Sequence, residues 1–220
     1  MESYMNRISN TGIVPVVKIL EKEDAYPLAK ALLNGGIDVI EVTYRSEHAT
    51  SAIQTISEQL PDMLVGAGTV LSVEQAKEAI EAGAKFIITP GFNTKVVQWC
   101  LDHDVEVYPG VSTASEVEMA LSMGLTQLKF FPAESSGGAK KLKDLSAPYA
   151  NVHFMPTGGI NTKNMHDYLS LPNVEAIGGS FMLPNDLVVA KDWDGIEALS
   201  RSAIKSLLDF QLILLGRTLI

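Results

Sequence analysis

Cysteine is almost absent from this sequence of 220 residues, in which Cys100 is the only one. A single cysteine excludes an intramolecular disulfide, so we expect a reducing, cytoplasmic setting. The spacing typical of a metal site is missing too, because the four histidines are scattered and no paired Cys or His motif occurs. We therefore expect no bound metal.

Positive charge is also scarce. The chain has 17 lysine and arginine residues against 26 aspartate and glutamate residues, which gives a formal net charge of −9. A nucleic-acid-binding protein needs a basic surface for the phosphate backbone, so this balance argues against nucleic acid as a main partner. A small anionic substrate remains compatible with it, because backbone amides and a few local cations can bind one anion.

Long hydrophobic runs are missing as well. The longest apolar stretch, Leu212–Leu215, is far too short to cross a bilayer, and residues 1–10 lack the apolar core of a signal peptide. We therefore predict no membrane partner. From about residue 192 the chain nevertheless becomes an apolar C-terminal extension. We interpret its last part, SLLDFQLILLGRTLI, as a helix or strand that covers the fold or lies in a subunit contact.

What the sequence does contain is a regular alternation of strand and helix patterns. Stretches with helical spacing, such as Asp24–Leu33 and Ser72–Ala82, lie between short runs that are rich in β-branched or aromatic residues. Ser72 and Gln75 form the pattern of a capping box, and glycines 35, 36, 83 and 124 stand where helices should end. The predicted strands are Ile13–Val17, Val39–Thr43, Leu64–Thr69, Phe86–Thr89, Glu106–Pro109, Gln127–Phe131, His153–Thr157 and Ala176–Ser180.

Strands that alternate with helices favour parallel pairing through right-handed crossovers. Eight such units without a linker predict an α/β fold of one domain, a closed (β/α)₈ TIM barrel that spans residues 1–220. The barrel would be compact, because this fold usually takes ~250 residues. An open doubly wound sheet is the alternative, although Val17–Leu20, after the first strand, has none of the glycines that such a fold usually carries there.

The sixth predicted strand contains a lysine among phenylalanines. Side chains alternate between the two faces of a strand, so Leu128 and Phe130 suit the helix layer and Lys129 points into the barrel. The same alternation directs Glu41 of the second strand inward. Both charges lie near the C-terminal ends of their strands, where barrel enzymes build their active sites.

These two charges have a structural and a catalytic interpretation. A buried Lys129–Glu41 ion pair could simply fill the barrel, because a lone buried charge is costly. Alternatively, burial favours the neutral amine of Lys129, which can attack a carbonyl group while Glu41 transfers protons. The position at the strand ends favours the catalytic interpretation.

Glycines mark the ends of the last two predicted strands. Gly158 and Gly159 follow Thr157 after the seventh strand, and Gly179 precedes Ser180 at the end of the eighth. In barrels the corresponding loops commonly bind phosphate through backbone N–H groups, although glycines also simply form turns. We predict a phosphate site at these two loops, to which the hydroxyl of Ser180 or Thr157 can contribute.

Arginine occurs only four times, and Arg45 lies just beyond Glu41. Its guanidinium could bind a substrate carboxylate in a bidentate manner, or it could form a salt bridge at the rim. Thr69, at the end of the next strand, could assist in binding the carboxylate.

Several stretches together resemble the 2-keto-3-deoxy-6-phosphogluconate (KDPG) / 4-hydroxy-2-oxoglutarate (KHG) aldolase family. They follow one another from about Ile13 to Leu183, and the combination of EVTxR, KFFPAE and PTGGI is specific. The full set is IVPVVKI, GGIDVIEVTYRS, VGAGTVLS, AGAKFIITPGFN, YPGVSTASE, LKFFPAE, PTGGI and IGGSFM.

The resemblance implies a TIM barrel, usually a homotrimer, and a class I aldolase that needs neither a metal nor another cofactor. It places the Schiff base on Lys129 and the general acid/base on Glu41, and it implies that Arg45 and Thr69 bind the pyruvate-end carboxylate. The pocket residues that it implies are Pro90, Phe131 and Thr157. The phosphate-binding residues that it implies are Lys18, Gly158, Gly159, Gly179 and Ser180.

The expected reaction is reversible cleavage of 2-dehydro-3-deoxy-6-phosphogluconate to pyruvate and glyceraldehyde 3-phosphate, with 4-hydroxy-2-oxoglutarate as a further substrate that gives glyoxylate. Lys18 stands where many relatives carry an arginine, and it lacks the guanidinium fork, so we expect weaker phosphate binding. Three alternatives stay open. They are a 2-dehydro-3-deoxy-6-phosphogalactonate aldolase, a phosphate-binding barrel isomerase or synthase without a Schiff base, and a non-catalytic sugar-acid-binding protein.

Overall fold

The computed structural model describes residues 4–214, which form alternating strands and helices. The strands are β1 (Ile13–Val17), β2 (Val39–Thr43), β3 (Leu64–Gly68), β4 (Phe86–Ile88), β5 (Glu106–Tyr108), β6 (Gly110–Val111), β7 (Gln127–Phe130), β8 (His153–Pro156) and β9 (Ile177–Gly179). The helices are α1 (Tyr4–Thr11), α2 (Ala25–Asn34), α3 (Ala49–Gln59), α4 (Val73–Glu81), α5 (Thr94–Asp102), α6 (Ala114–Ser122), α7 (Gly138–Ser146), α8 (Met165–Leu169), α9 (Asn185–Ala190) and α10 (Trp193–Leu214).

The paired strands are all parallel and form a ring. One sheet has the order β5-β4-β3-β2-β1-β9, and the other has the order β6-β7-β8. The two sheets meet where β5 continues into β6 across Pro109, and where the bridges Thr157–Gly178 and Phe154–Val174 join β8 to β9. The predicted barrel of eight parallel strands is therefore confirmed, and the open doubly wound sheet is wrong.

The predicted bounds of the first two strands match the structure, and those of the other six differ by one residue at one or both ends. Two of these differences have a clear cause. The fifth predicted strand is interrupted at Pro109, because proline has no N–H to donate to the ladder. Its carbonyl still accepts a hydrogen bond of 3.0 Å from the N–H of Lys129, and pairing resumes at Gly110. Thr69 lies beyond β3, because its φ of 54° is in the left-handed region and not in the extended region of a strand.

The helix ends follow the predicted local signals with one correction. Gly36, Gly83 and Gly124 all have positive φ and follow helices, as expected. At the start of α4 the Oγ of Ser72 accepts from the N–H of Gln75 at 3.2 Å, which is half of the predicted capping box. The other half is wrong, because the side chain of Gln75 accepts from the N–H of Leu71 and not from that of Ser72.

The lower half of the barrel, at the N-terminal ends of the strands, is filled with apolar side chains. Inward-facing residues of the strands form this cluster, and α1 closes it from below with Met5 and Ile8. Alternate residues of the same strands, such as Ile40 and Leu128, pack instead against the surrounding helices. The upper end of the barrel, at the C-terminal ends of the strands, is therefore the end that is left for a site.

The C-terminal extension forms the long helix α10, which packs against α2. Its buried residues Ile196, Ser200, Ala203 and Leu207 recur at intervals of three or four and so lie on one face. Gly35, just after α2, permits this close contact, because a Cβ at that position would lie 2.4 Å from the Cβ of Ser200. Part of the predicted apolar tail thus covers the helical layer, and residues 215–220 lie outside the described part of the chain.

A second contact of α10 involves α8. The rings of His166 and Phe210 stack with their centroids 4.4 Å apart, and the Oγ of Ser206 lies 3.2 Å from Nε2 of His166.

Within residues 4–214 no helix is both long enough and apolar enough to span a membrane.

Candidate active site

The two charges predicted to point into the barrel form an ion pair at its upper end. Nζ of Lys129 lies 3.0 Å from Oε1 and 3.2 Å from Oε2 of Glu41. Both residues are buried, with 4% of Lys129 and none of Glu41 exposed. They belong to the sixth and the second of eight strand positions around the ring, so they meet across the barrel from opposite sides.

Gly68 of β3 makes room for this pair. A Cβ at Gly68 would lie 2.0 Å from Oε1 of Glu41, which is far inside van der Waals contact. Gly66, two residues earlier on the same face, is similarly placed against the ring of Phe86. The glycines of the GAG stretch therefore serve close packing inside the barrel, and the carboxylate of Glu41 occupies the space that a side chain at position 68 would fill.

An aromatic ring lies near the amine, and a glycine turn packs on that ring. The ring centroid of Phe131 lies 5.5 Å from Nζ of Lys129. Gly158 packs on the same ring, since a Cβ at Gly158 would be 3.4 Å from Cε2 of Phe131. An amine nucleophile with a carboxylate in hydrogen-bond contact is the arrangement that attack on a carbonyl carbon requires.

Arg45 is held at the rim by a residue that sequence analysis left without a role. The Nε of Arg45 donates to Oγ1 of Thr43 at 3.1 Å, and the hydroxyl of Thr43 donates to the carbonyl of Val17 at 2.7 Å. Among the described residues no carboxylate lies within salt-bridge distance of Arg45, so the alternative of a rim salt bridge is not supported there. The terminal nitrogens of this exposed guanidinium are available to an anion.

Three predicted site residues line one cavity of about 180 Å³, namely Lys18, Arg45 and Ser180. Val17, Leu183 and Asn185 belong to the same cavity. Its volume is below the range of about 300–1,000 Å³ that is usual for drug-sized ligands. Arg45, predicted to bind the carboxylate, thus shares one small cavity with Lys18 and Ser180, predicted to bind the phosphate, so the two predicted anion sites are neighbours at the rim.

The glycine-rich strand ends are close to this cavity and to each other. Gly158 and Gly159 have φ values of 104° and 79°, a region in which glycine is favoured. Thr157 packs against Gly178, because a Cβ at Gly178 would lie 2.2 Å from Oγ1 of Thr157. The turn after β8 therefore sits directly beside the strand that leads to Gly179 and Ser180.

Pro90 and Thr69 lie at the ends of β4 and β3. The carbonyl of Pro90 packs closely on Gly110, where a Cβ would be 2.3 Å away, and Gly110 is paired with Lys129. Oγ1 of Thr89 donates to the carbonyl of Gly91 at 2.7 Å and so fixes the turn around Pro90. Thr69 directly follows Gly68, in the left-handed conformation that a non-glycine residue rarely adopts.

Sequence analysis missed three parts of this site. Thr43 lies two residues after Glu41 on β2 and two residues before Arg45, and this spacing could have indicated its role. Position 68 requires a glycine because it contacts Glu41 of the neighbouring strand β2, and this contact is visible only in the folded protein. Glu134 and Tyr168, which support Gly159, belong to other elements and gave no local signal. Among the described residues there is no cluster of His, Cys, Asp and Glu that could hold a metal ion.

A parallel barrel with a buried amine against a carboxylate at its strand ends, beside a rim that suits anions, defines the class of Schiff-base lyases. Residues 4–199 match the family model described as KDPG and KHG aldolase. The chain belongs to this family, and it is therefore an aldolase, a carbon–carbon lyase.

Individual relatives agree with this assignment. The chain is 44% identical over 205 residues to a 2-dehydro-3-deoxy-phosphogluconate aldolase of Treponema pallidum, covering 93% of this chain and 98% of the relative. It is 44% identical over 199 residues to the KHG/KDPG aldolase of Escherichia coli K12, covering 90% and 93%. A crystal structure of KDPG aldolase from Legionella pneumophila, with pyruvate captured at low pH as a covalent carbinolamine intermediate, aligns with a TM-score of 0.89 at 39% identity and covers 92% and 99%.

Proposed function

We propose that this protein is a class I aldolase that reversibly cleaves 2-dehydro-3-deoxy-6-phosphogluconate to pyruvate and glyceraldehyde 3-phosphate. The observation that carries the proposal is the buried contact between Nζ of Lys129 and the carboxylate of Glu41. The carbinolamine captured in the Legionella pneumophila relative supports covalent chemistry of this type. The relatives named for this phosphorylated sugar acid support the substrate.

The first half of the reaction forms the Schiff base. The neutral amine of Lys129 adds to the C2 ketone of the substrate, and Glu41 supplies the proton with which the hydroxyl of the carbinolamine leaves as water. The product is an iminium ion between Lys129 and C2. This cation is the electron sink for the next step, so no other cofactor is needed.

The second half of the reaction breaks the carbon–carbon bond. The carboxylate of Glu41 accepts the proton of the C4 hydroxyl, the C4 oxygen becomes the aldehyde, and the electrons of the C3–C4 bond move to the iminium as an enamine. The aldehyde leaves, Glu41 returns the proton that it accepted to C3 of the enamine, and water hydrolyses the resulting Schiff base. Pyruvate is released and Lys129 returns to its free amine.

The remaining predicted residues bind the two ends of the substrate. Arg45, which Thr43 holds by its Nε, and Thr69 bind the carboxylate of the pyruvate part. The residues that line the pocket between the ends are Pro90, Phe131 and Thr157. The residues that bind the phosphate are Lys18, Gly158, Gly159, Gly179 and Ser180.

4-Hydroxy-2-oxoglutarate is the second candidate substrate, because one relative is a KHG/KDPG aldolase. It shares the 2-keto-4-hydroxy acid part that reacts with Lys129 and lacks the phosphate. A phosphogalactonate aldolase and a barrel enzyme without a Schiff base are not favoured. We further propose a cytoplasmic homotrimer, for which light scattering coupled to size-exclusion chromatography is the test, with a mass of three chains expected.

The test of the mechanism is trapping with pyruvate and borohydride, followed by intact-mass spectrometry and peptide mapping. We expect one reduced pyruvyl adduct on Lys129. Lys129→Ala should give no adduct and no cleavage, whereas Lys205→Ala, which changes an exposed lysine of α10, should behave as the unchanged protein. Folded protein without an adduct would overturn the Schiff base, and an adduct without aldehyde release from the substrate would indicate a binding protein.

A further inference from the structure

The turn that follows β8 is held by its carbonyl groups. The N–H of Ala133 donates to the carbonyl of Thr157 at 2.7 Å, and the N–H of Glu134 donates to the carbonyl of Gly158 at 3.1 Å. Both donors belong to the segment after β7. The first two carbonyls of the turn therefore point toward this neighbouring segment.

The third carbonyl of the turn is held by two side-chain amides. Nδ2 of Asn161 and Nδ2 of Asn164 donate to the carbonyl of Gly159 at 3.2 and 3.1 Å. Asn164 is itself oriented, because its Oδ1 accepts from the N–H of Asn161 at 2.8 Å. Asn161 and Asn164, which both precede α8, thus donate to the same backbone oxygen.

The direction of these carbonyls fixes the direction of the neighbouring N–H groups. In a planar trans peptide the N–H points opposite to the C=O of the same unit. The carbonyls of residues 157, 158 and 159 share their peptide units with the N–H groups of Gly158, Gly159 and Ile160. Because all three carbonyls point to outside donors, these three N–H groups point away from them, and successive N–H groups of this kind form a concave site for an anion.

A buried tyrosine fixes the side chain that packs on this turn. The hydroxyl of Tyr168, on α8, donates a hydrogen bond to Oε1 of Glu134. Burial and then the Glu134 carboxylate raise the pKa of Tyr168, so the phenol keeps the proton that it donates. Glu134 lies directly on the turn, because a Cβ at Gly159 would be 2.6 Å from Cγ of Glu134.

The carboxylate of Glu134 is held on the side of α7. A Cβ at Gly138, the first residue of α7, would lie 3.4 Å from Oε1 of Glu134 and 3.5 Å from the hydroxyl of Tyr168. This position matters because a free carboxylate beside the turn would repel a phosphate. The Tyr168 hydroxyl keeps that negative charge in place while the Glu134 backbone holds the turn.

We propose that Tyr168, Glu134 and Asn164 are positioning residues that preorganise the three N–H groups of the turn for the substrate phosphate. They do not touch the reacting atoms. The inference rests on the proposed function, because it takes the turn as the phosphate site. It predicts that these residues matter for phosphorylated ligands and not for the chemistry at Lys129.

The experiment measures how inorganic phosphate inhibits cleavage of the unphosphorylated substrate, 4-hydroxy-2-oxoglutarate, and it determines the KM for both substrates. We expect two constants to rise about tenfold in both Tyr168→Phe and Asn164→Ala, namely the inhibition constant of phosphate and the KM for the phosphorylated substrate. This is the size of effect expected when one hydrogen bond that supports an anion site is lost. The KM for the unphosphorylated substrate and the rate of pyruvate trapping should not change. Tyr149→Phe is the matched control, because the hydroxyl of Tyr149 bonds Glu118 at 3.0 Å on the surface.

The outcomes separate this inference from the proposed function. If phosphate does not inhibit the unchanged protein, the proposed phosphate site is wrong. If phosphate inhibits the unchanged protein and both variants equally, the turn is a phosphate site but the positioning role is wrong. If a variant loses pyruvate trapping to the same extent as phosphate binding, the residue supports the whole fold, and that result also overturns the selective role.

Discussion

Lys129 and Glu41 face each other across the barrel, with both carboxylate oxygens within 3.2 Å of the amine although the residues are 88 positions apart in the sequence. Within the described part of the chain neither side chain has another ionic partner. Each group is therefore the ionic partner of the other, at a distance that allows a proton to pass directly between them. This reciprocity is what an amine nucleophile with an adjacent acid/base requires.

Replacing Glu41 tests this reciprocity. Glu41→Gln keeps the shape of the side chain but cannot exchange a proton, so we expect kcat of aldol cleavage to fall about 10²–10⁴-fold. The exposed carboxylate at the end of α4 offers a control, and Glu81→Gln should leave kcat unchanged. Steady-state kinetics checks both variants. A Glu41→Gln enzyme with nearly full kcat would reduce Glu41 to a counter-ion.

Adding one methyl group at Gly68 should displace the carboxylate without changing its chemistry. The new Cβ would lie 2.0 Å from Oε1 of Glu41, so the side chain of Glu41 must move away from Lys129. We expect Gly68→Ala to lower kcat about hundredfold and to leave a folded protein, as measured by kinetics and circular dichroism. Gly91→Ala adds the same methyl group in open space at the same end of the barrel. Equal kcat in the two variants would contradict the close contact at Gly68.

Thr43 should control how well Arg45 binds the substrate carboxylate. Thr43→Val removes the oxygen that accepts from Nε of Arg45, so we expect the KM for pyruvate in the trapping reaction to rise about fivefold. The maximal trapping rate should change less, because Lys129 and Glu41 stay in contact. Thr43→Ser keeps the hydroxyl and should restore the KM. A serine variant as weak as the valine variant would point to packing of the methyl group instead.

The helix α10 should contribute to stability through one face. Leu207 is 3% exposed and packs on Gly12, whereas Leu208, the next residue, is 51% exposed. We expect Leu207→Ala to lower the free energy of unfolding by about 2–5 kcal/mol, because it removes buried methyl groups and leaves a cavity. Leu208→Ala should change it by less than about 1 kcal/mol. Urea denaturation measures both, and similar losses would mean that α10 does not pack with this face.

The strand pattern and the central pair were predictable because both depend on short-range alternation. Lys129 stands between apolar residues that belong to the helix side, and the alternation of a strand alone turns it inward. The strand ends were less predictable. Pro109 interrupts a strand for a local chemical reason that was visible in the sequence, but the left-handed φ of Thr69 depends on the surrounding packing.

The contacts that complete the site could not be predicted, since they join segments that are distant in the sequence. Tyr168 and Glu134 are 34 positions apart, and nothing in either stretch indicates the hydrogen bond between them. Likewise, α1 was not identified as the lower closure of the barrel, because Met5 and Ile8 acquire their role only from the strands that they cover. A local sequence pattern predicts which face of a strand or helix is buried. Which two faces pack against each other is determined only by the folded chain.

Because α1 covers the lower end of the barrel, the described part of the chain leaves the upper end as the opening. Apolar side chains fill its lower half and Met5 and Ile8 cover its base, so within residues 4–214 the open end nearest the amine of Lys129 is the upper rim, where we propose that the substrate binds. Two molecules that use one opening must leave in the reverse of the order in which they bind. With pyruvate bound to Lys129 as proposed, we expect the aldehyde on the rim side to leave before pyruvate, and in the synthetic direction we expect pyruvate to bind before the aldehyde.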